Sequence, residues 1–241
     1  MVYEPRTYRN IVAPEGLATF EVVLRETDLQ IAAKSDLSAS AVQLVQAART
    51  QLEDYIAGHP HFAETFSPYA VEEDAPRLVK AMAKAAWVAN VGPMAAVAGA
   101  VAEFVARGLA SRSSEVIVEN GGDVYLIGAR DRTLALWAGE GVRGVGIEIA
   151  GRSLPAAVCT SSGRFGHSTS LGSADAVAVV GSDGAITDAV ATALANRVHG
   201  AADIERALEA ASHIQGVRGV IVNADGHIGA WGDVHLVPLG S

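Results

Sequence analysis

The 241-residue chain has a single cysteine, Cys159, which excludes any internal disulfide and fits a reducing compartment. Aromatic residues make up 5% of it, so its apolar half is mostly alanine and valine. Clustered positive charge is also missing. The net charge is −9 and Lys and Arg do not run together, which argues against a phosphate-backbone footprint and hence against nucleic acid as a partner. The first residues, "MVYEPRTYRN", contain no apolar core of a secretory signal, so the expected location is cytoplasmic. No repeat, low-complexity tract or linker interrupts the chain, and one domain over 1–241 is expected, with room for two closely packed lobes. Only "AAWVANVGPMAAVAGAVA" (85–102) approaches the length of a membrane span without a charge. Gly92-Pro93 breaks it in the middle, and its flanks look like ordinary helix surface, so a buried helix is expected and no membrane.

What is present is strongly patterned. Phe20, Val22 and Leu24, then Leu29 and Ile31, alternate as in a pair of strands. From Ser38 to Gly58 the spacing becomes helical, with Val42, Leu44, Val45, Leu52, Tyr55 and Ile56 on one broad face. Helices are expected from Pro76 to about Val88 and from Pro93 to about Leu109. Strands follow in "EVIVEN", "DVYLIGA", "TLALWAG", "GVGIEIA", "AAVCTSS" and "ADAVAVVGSDG", the last ending in an Asp-Gly turn. Two helices, opening at Thr187 and Ala202, and a closing pair of strands complete the chain. Strands and helices come in separate runs, which points to an α+β fold of antiparallel sheets with segregated helices.

Three stretches can carry chemistry. In "ENGGDVYLIG" (119–128), Gly121-Gly122 reads as a hairpin turn, or as a place where backbone approaches a ligand, with Glu119, Asn120 and Asp123 beside it. In "CTSSGRFGHSTSLG" (159–172), a Cys159 nucleophile with His167 as base is one reading, and an inert thiol in an apolar strand is the other. Its small hydroxyls and glycines suit a cradle for phosphate oxygens, although neither a P-loop nor a dinucleotide fingerprint is present. In "ITDAVATALANR", Asp188 and Thr192 lie four apart and share a helical face, offering hard oxygen donors suited to Mg²⁺. The alternative is that Thr187 or Asp188 caps the helix. Glu26 and Asp28 either form a turn or face the site, and the spacing of the histidines fits no structural zinc site.

Taken in order, "VGPMAAVAGAVAE", "VIVENGGDVYL", "CTSSGRFGHSTSLGSADAVAVV" and "TDAVATALAN" resemble a bacterial and archaeal family of the ApbE-like superfamily that has no assigned activity. Its better-known relatives are the ApbE proteins, FAD:protein FMN transferases that use Mg²⁺ to attach FMN to a protein Ser or Thr. Their Gly-Gly-Asp motif is similar to Gly121, Gly122 and Asp123, and their metal-binding Asp and Thr match Asp188 and Thr192. Their S-T-S-G segment with a following histidine resembles Thr160, Ser161, Ser162 and Gly163 with His167.

The resemblance implies FAD or FMN held by Asn120, Gly121, Gly122, Asp123, Gly99 and Thr160 to Gly163, with Mg²⁺ on Asp188 and Thr192. His167 and Asp123 become the acid–base candidates, and a protein substrate is implied beside the nucleotide. Two departures stand out. Ala98 precedes Gly99 where the transferases carry Lys-Gly, and "GHSTSLGSAD" replaces their H-I-I-D-P run. A flavin or nucleotide binder without catalysis, or an enzyme acting on another phosphorylated metabolite, are the competing expectations.

Overall fold

The computed structural model describes residues 15–135, 145–162, 172 and 174–239. Strands β1 (Ala18–Leu24) and β2 (Thr27–Ala33) form a hairpin, followed by helices α1 (Ser38–Gly58), α2 (His61–Glu64) and α3 (Arg77–Ala89). A 3₁₀ turn at Pro93–Ala96 leads into α4 (Val97–Leu109). Then come β3 (Val116–Asn120), β4 (Asp123–Ile127), β5 (Arg132–Ala135), β6 (Val145–Ile149), β7 (Ala156–Ser161) and β8 (Ala176–Gly181). Helix α5 (Gly184–Ala195), α6 (Ile204–Ser212), β9 (Val217–Ala224), β10 (His227–Gly232) and β11 (His235–Pro238) complete the chain.

Eight strands build one antiparallel sheet in the order β1-β2-β3-β4-β7-β8-β9-β10, and β11-β6-β5 form a second, smaller one. The large sheet is covered on both faces. Val118, Tyr125, Cys159, Val179 and Val222 point into the helices, while Leu126, Val158, Ala178, Val180 and Ile221 pack on Ile147 and Ile149 of the small sheet. That is why β7 and β8 are continuous apolar runs: a strand buried on both faces has no solvent side to alternate with. Fully buried side chains such as Leu29, Phe62, Met82, Leu109 and Leu194 each contribute about 1.5–3 kcal/mol through removal from water.

The expected segregation of strands and helices holds, with three corrections. Helix α1 buries Ala41, Val45, Ala48 and Tyr55, whereas Val42 is 47% exposed, because alanines let the neighbouring helices approach along a narrower stripe. The Asp183-Gly184 pair is no strand-ending turn; Asp183 is the N-cap of α5, its carboxylate accepting from the Ile186 N–H at 2.9 Å. Helix α5 consequently starts at Gly184, three residues before Thr187. The apolar stretch 85–102 is divided by a 104° bend between α3 and the Pro93 segment, and among the described residues no single helix is long and apolar enough to cross a membrane.

Candidate functional site

The site is built where α4, α5 and the β3–β4 hairpin meet. Gly121 and Gly122 make the hairpin turn with φ of +66° and +103°, conformations that L side chains avoid. The hairpin reading of the two glycines is therefore correct as geometry. The polar residues around them have separate work. Asn120 Nδ2 donates to the Ala98 carbonyl at 3.1 Å, tying the hairpin to the start of α4. Glu119 accepts from the Gly122 N–H at 2.8 Å, and Thr160 Oγ1 donates to the Gly122 carbonyl at 3.1 Å.

Asp123, the first residue of β4, points into the helix layer and is 5% exposed. Its Oδ1 accepts from the Thr160 N–H at 3.2 Å. Asp188 approaches from the second turn of α5 and is 8% exposed, with Oδ2 accepting from the Gly99 N–H at 2.9 Å and the Ala98 N–H also donating to the carboxylate. Since Asp183 caps the helix, Asp188 is not needed there, and the capping alternative is removed for Asp188 and Thr187 alike. Asp188 also lies a full turn beyond the position expected of it.

Burial, with the Asp188 charge added, holds the Asp123 carboxyl well above the usual carboxylate range. Burial likewise pushes Asp188 up to about 7, against the two amides that favour its ionised form. Cys159 is fully buried on β7, its Sγ 3.8 Å from the Gly184 carbonyl and within donor reach of Asp123. Burial and the neighbouring Asp123 and Asp188 carboxylates raise its pKa, so the thiol is the inert reading rather than the nucleophile.

Of the residues singled out in the sequence, Gly99, Asn120, Gly121, Gly122, Asp123, Thr160 and Asp188 come together here. Ser161 is buried at the end of β7, and its Oγ has no hydrogen-bond partner among the described residues. Ser162 is half-buried beside it, and Thr192 is half-buried one turn past Asp188. Gly163 and His167 lie outside the described residues. Among the described residues no cluster of three His, Cys, Asp or Glu side chains converges as a metal cage. Glu26 sits in the β1–β2 turn, where it pairs with Arg49 at 2.7 Å, while Asp28 is buried on β2.

One residue was missed from sequence, and one was noted only for the lysine it lacks. Ala98 brings both of its peptide groups to the site. Glu103, one turn after Gly99 on α4, accepts from the Gly184 N–H at 2.6 Å. A signal was available in Gly99, a helix-interior glycine that costs about 1 kcal/mol relative to alanine and so marks a close approach. A Cβ on Gly99 would lie 2.2 Å from the Gly184 carbonyl oxygen, and one on Gly184 would lie 2.4 Å from that of Gly99.

This helix-covered antiparallel sheet is the α+β fold of the ApbE flavin transferases of known structure. The flavin transferase ApbE from Vibrio cholerae superimposes with a TM-score of 0.61 at 14% identity, covering 91% of this chain and 97% of that one. The Pseudomonas stutzeri flavinyl transferase ApbE gives 0.62 at 13% identity, covering 90% and 94%.

Residues 9–228 match the family described as "AbpE bacteria", and the chain belongs to that family. It is similar to the UPF0280 protein of Methanocaldococcus jannaschii, 37% identical over 88% of this chain and 90% of that one. The UPF0280 protein of Methanopyrus kandleri is 43% identical over 82% and 83%.

Proposed function

We propose that the protein binds a flavin nucleotide together with Mg²⁺ and transfers FMN from FAD to a protein Ser or Thr. The observation that carries this reading is the Asp123–Asp188 pair: two buried carboxylates, the charge of one acting on the other, with backbone amides and a thiol around them and no cationic side chain bonded to either among the described residues. Two such charges are costly to bury unless a cation joins them. All-oxygen donors, few in number, fit Mg²⁺, which keeps several waters and shares its site with ligand phosphates.

Asp123 and Asp188 would hold the ion, with the Thr192 hydroxyl one turn along the same helical face. When bound, Mg²⁺ would neutralise pyrophosphate charge and polarise phosphorus. Gly121, with nothing within 4 Å of where a Cβ would stand, leaves the hairpin tip open to close approach by the nucleotide, and Ser161 Oγ is a buried hydroxyl with no partner among the described residues. Burial raises the Asp123 pKa and so makes its ionised carboxylate a stronger base, and Asp123 and His167 are the acid–base candidates for the attacking hydroxyl.

Incubation of the protein with FAD, Mg²⁺ and a Ser/Thr acceptor protein tests this reading. AMP release with covalent FMN on the acceptor supports it; Mg²⁺-independent retention of FAD, or no binding at all, defeats it. His167→Asn should lower the rate of AMP release while leaving FAD affinity nearly intact.

One observation favours a second reading, a flavin carrier without turnover. At the start of α4, where the transferases carry Lys-Gly, Ala98 supplies no cation, and its carbonyl and the Gly99 N–H are already engaged by Asn120 and Asp188. Intact FAD recovered after prolonged incubation with Mg²⁺ and acceptor would identify the carrier.

A further inference from the structure

Helices α4 and α5 grip each other through two reciprocal contacts. The Asp188 carboxylate of α5 accepts from the Gly99 N–H of α4 at 2.9 Å, and the Glu103 carboxylate of α4 accepts from the Gly184 N–H of α5 at 2.6 Å. Each pair is four residues apart on its own helix, so each shares one helical face. Going forward from Gly184 to Asp188 on α5 is going back from Glu103 to Gly99 on α4. Between the two contacts the backbones touch, with no room for a Cβ on either glycine.

Glu103 is itself held. Its Oε1 accepts from Arg107 Nε at 2.6 Å, Arg107 Nη2 donates to Tyr125 Oη at 2.7 Å, and the Tyr125 hydroxyl reaches the Ser182 carbonyl at 3.4 Å. The first turn of α5 is thereby fastened to α4 and, through Tyr125, to β4, the strand that carries Asp123.

We propose that Glu103 is a positioning residue that sets the register of α5 on α4 and so places Asp188 opposite Asp123. This rests on the reading of those two carboxylates as a cation site. A helix whose first amide is clamped cannot slide or roll, and its second-turn carboxylate is fixed with it. Without the clamp, Asp188 retains the Gly99 and Ala98 amides but loses the second point that fixes its direction.

The test uses the full chain with Mn²⁺ as the probe, bound metal being read from loss of the free-ion paramagnetic resonance signal. In parallel, the rate at which Cys159 reacts with a thiol reagent reports whether the first turn of α5, whose Gly184 carbonyl lies over the sulfur, stays seated. Glu103→Ala should weaken Mn²⁺ binding tenfold or more and speed thiol labelling at least tenfold. Glu103→Gln, which keeps an acceptor for the Gly184 N–H, should hold both within threefold of the parent. Phe62→Leu, a core change on α2, which carries none of the site's residues, should lower the melting temperature without moving Mn²⁺ affinity.

The proposal is overturned if Glu103→Ala leaves both readouts within twofold, if Glu103→Gln is as impaired as Glu103→Ala, or if Phe62→Leu weakens Mn²⁺ binding equally. If the parent binds no Mn²⁺, the cation-site reading fails, and the clause about placing Asp188 for a cation fails with it. The labelling rates still decide whether Glu103 seats the helix.

Discussion

Two acidic centres lie at opposite ends of β3, and the fold treats them differently. At one end Glu115, 7% exposed, accepts from Lys34 and Arg132 and has Arg130 Nε at 3.5 Å. The Lys34 hydrogen bond, then that of Arg132 and the surrounding positive charge, hold its carboxyl below the usual range against desolvation. At the other end the turn after Asn120 leads to Asp123, which with Asp188 has only amides and a thiol among the described residues, and both are pushed the opposite way. Where the chain needs a buried carboxylate for structure, it brings its own cations. Where it brings none among the described residues, the proposed Mg²⁺ would supply the missing charge.

Exchanging the two centres should therefore have crossed effects. The largest belongs to Asp188→Ala, which should lower Mg²⁺-dependent FAD affinity or AMP release at least about a hundredfold, a loss of some 2.7 kcal/mol. The metal-free melting temperature should stay level or rise, since a buried charge is relieved. Glu115→Ala should do the reverse. It strands cations and should cost about 2 kcal/mol, less than a fully buried pair because Lys34 and Arg130 reach solvent, while FAD affinity stays unchanged. Calorimetry and a binding titration on both variants decide the matter; a fall in affinity for Glu115→Ala would erase the distinction.

Acidity sharpens the same comparison. Asp188 has its pKa raised on folding, so its stabilising contribution is full below about 4, its unfolded value, and is lost as the pH rises through about 7. Glu115 has the opposite sign: its contribution is present above the ordinary carboxylate pKa and is lost as the pH falls through its lowered value. Metal-free protein should melt lower at pH 8 than at pH 5.5, Asp188→Asn should flatten that difference, and Mg²⁺ should restore the loss at pH 8 by binding only the folded form. An unchanged pH profile in Asp188→Asn would place the titration elsewhere.

Smaller effects follow within the site. Thr192→Val, close to isosteric, should weaken Mg²⁺-dependent affinity by about fivefold, the worth of one polar contact, with no change in melting temperature. Cys159→Ala should leave turnover within about threefold, because a protonated buried thiol acts as a small hydrophobe. Abolished turnover in a folded Cys159→Ala protein would restore the nucleophile.

The strand pairs, both proline-led helical segments and the Gly-Gly hairpin were legible because each is marked by local chemistry: alternation, a first-turn proline, positive φ. The start of α5 was misread because "SDG" fits a turn as well as an N-cap, and only the packing of Gly184 on Gly99 chooses between them. The spacing puts Val42 on the apolar face of α1 because pattern ranks valine above alanine, while close helix approach favours the alanines. At the site, residue types and the four-residue spacing pointed to Asp188, and the turn pointed to Asp123. Their meeting was not legible, nor was the role of Glu103, since these contacts join residues 65 to 89 positions apart through helix register.

The order of strands in the large sheet has a consequence for the birth of the protein. Neighbours in that sheet follow chain order, so each strand finds its predecessor already in place, with α1–α4 inserted before β3 and the β5–β6 hairpin before β7. As the chain leaves the ribosome, Gly99, Asp123 and Cys159 are all made before Asp188. Until α5 emerges and docks, the face beneath it stands open, and no fragment ending at β8 contains both carboxylates. The site is the keystone of the nascent chain: it closes late, with only α6 and the last three strands still to follow.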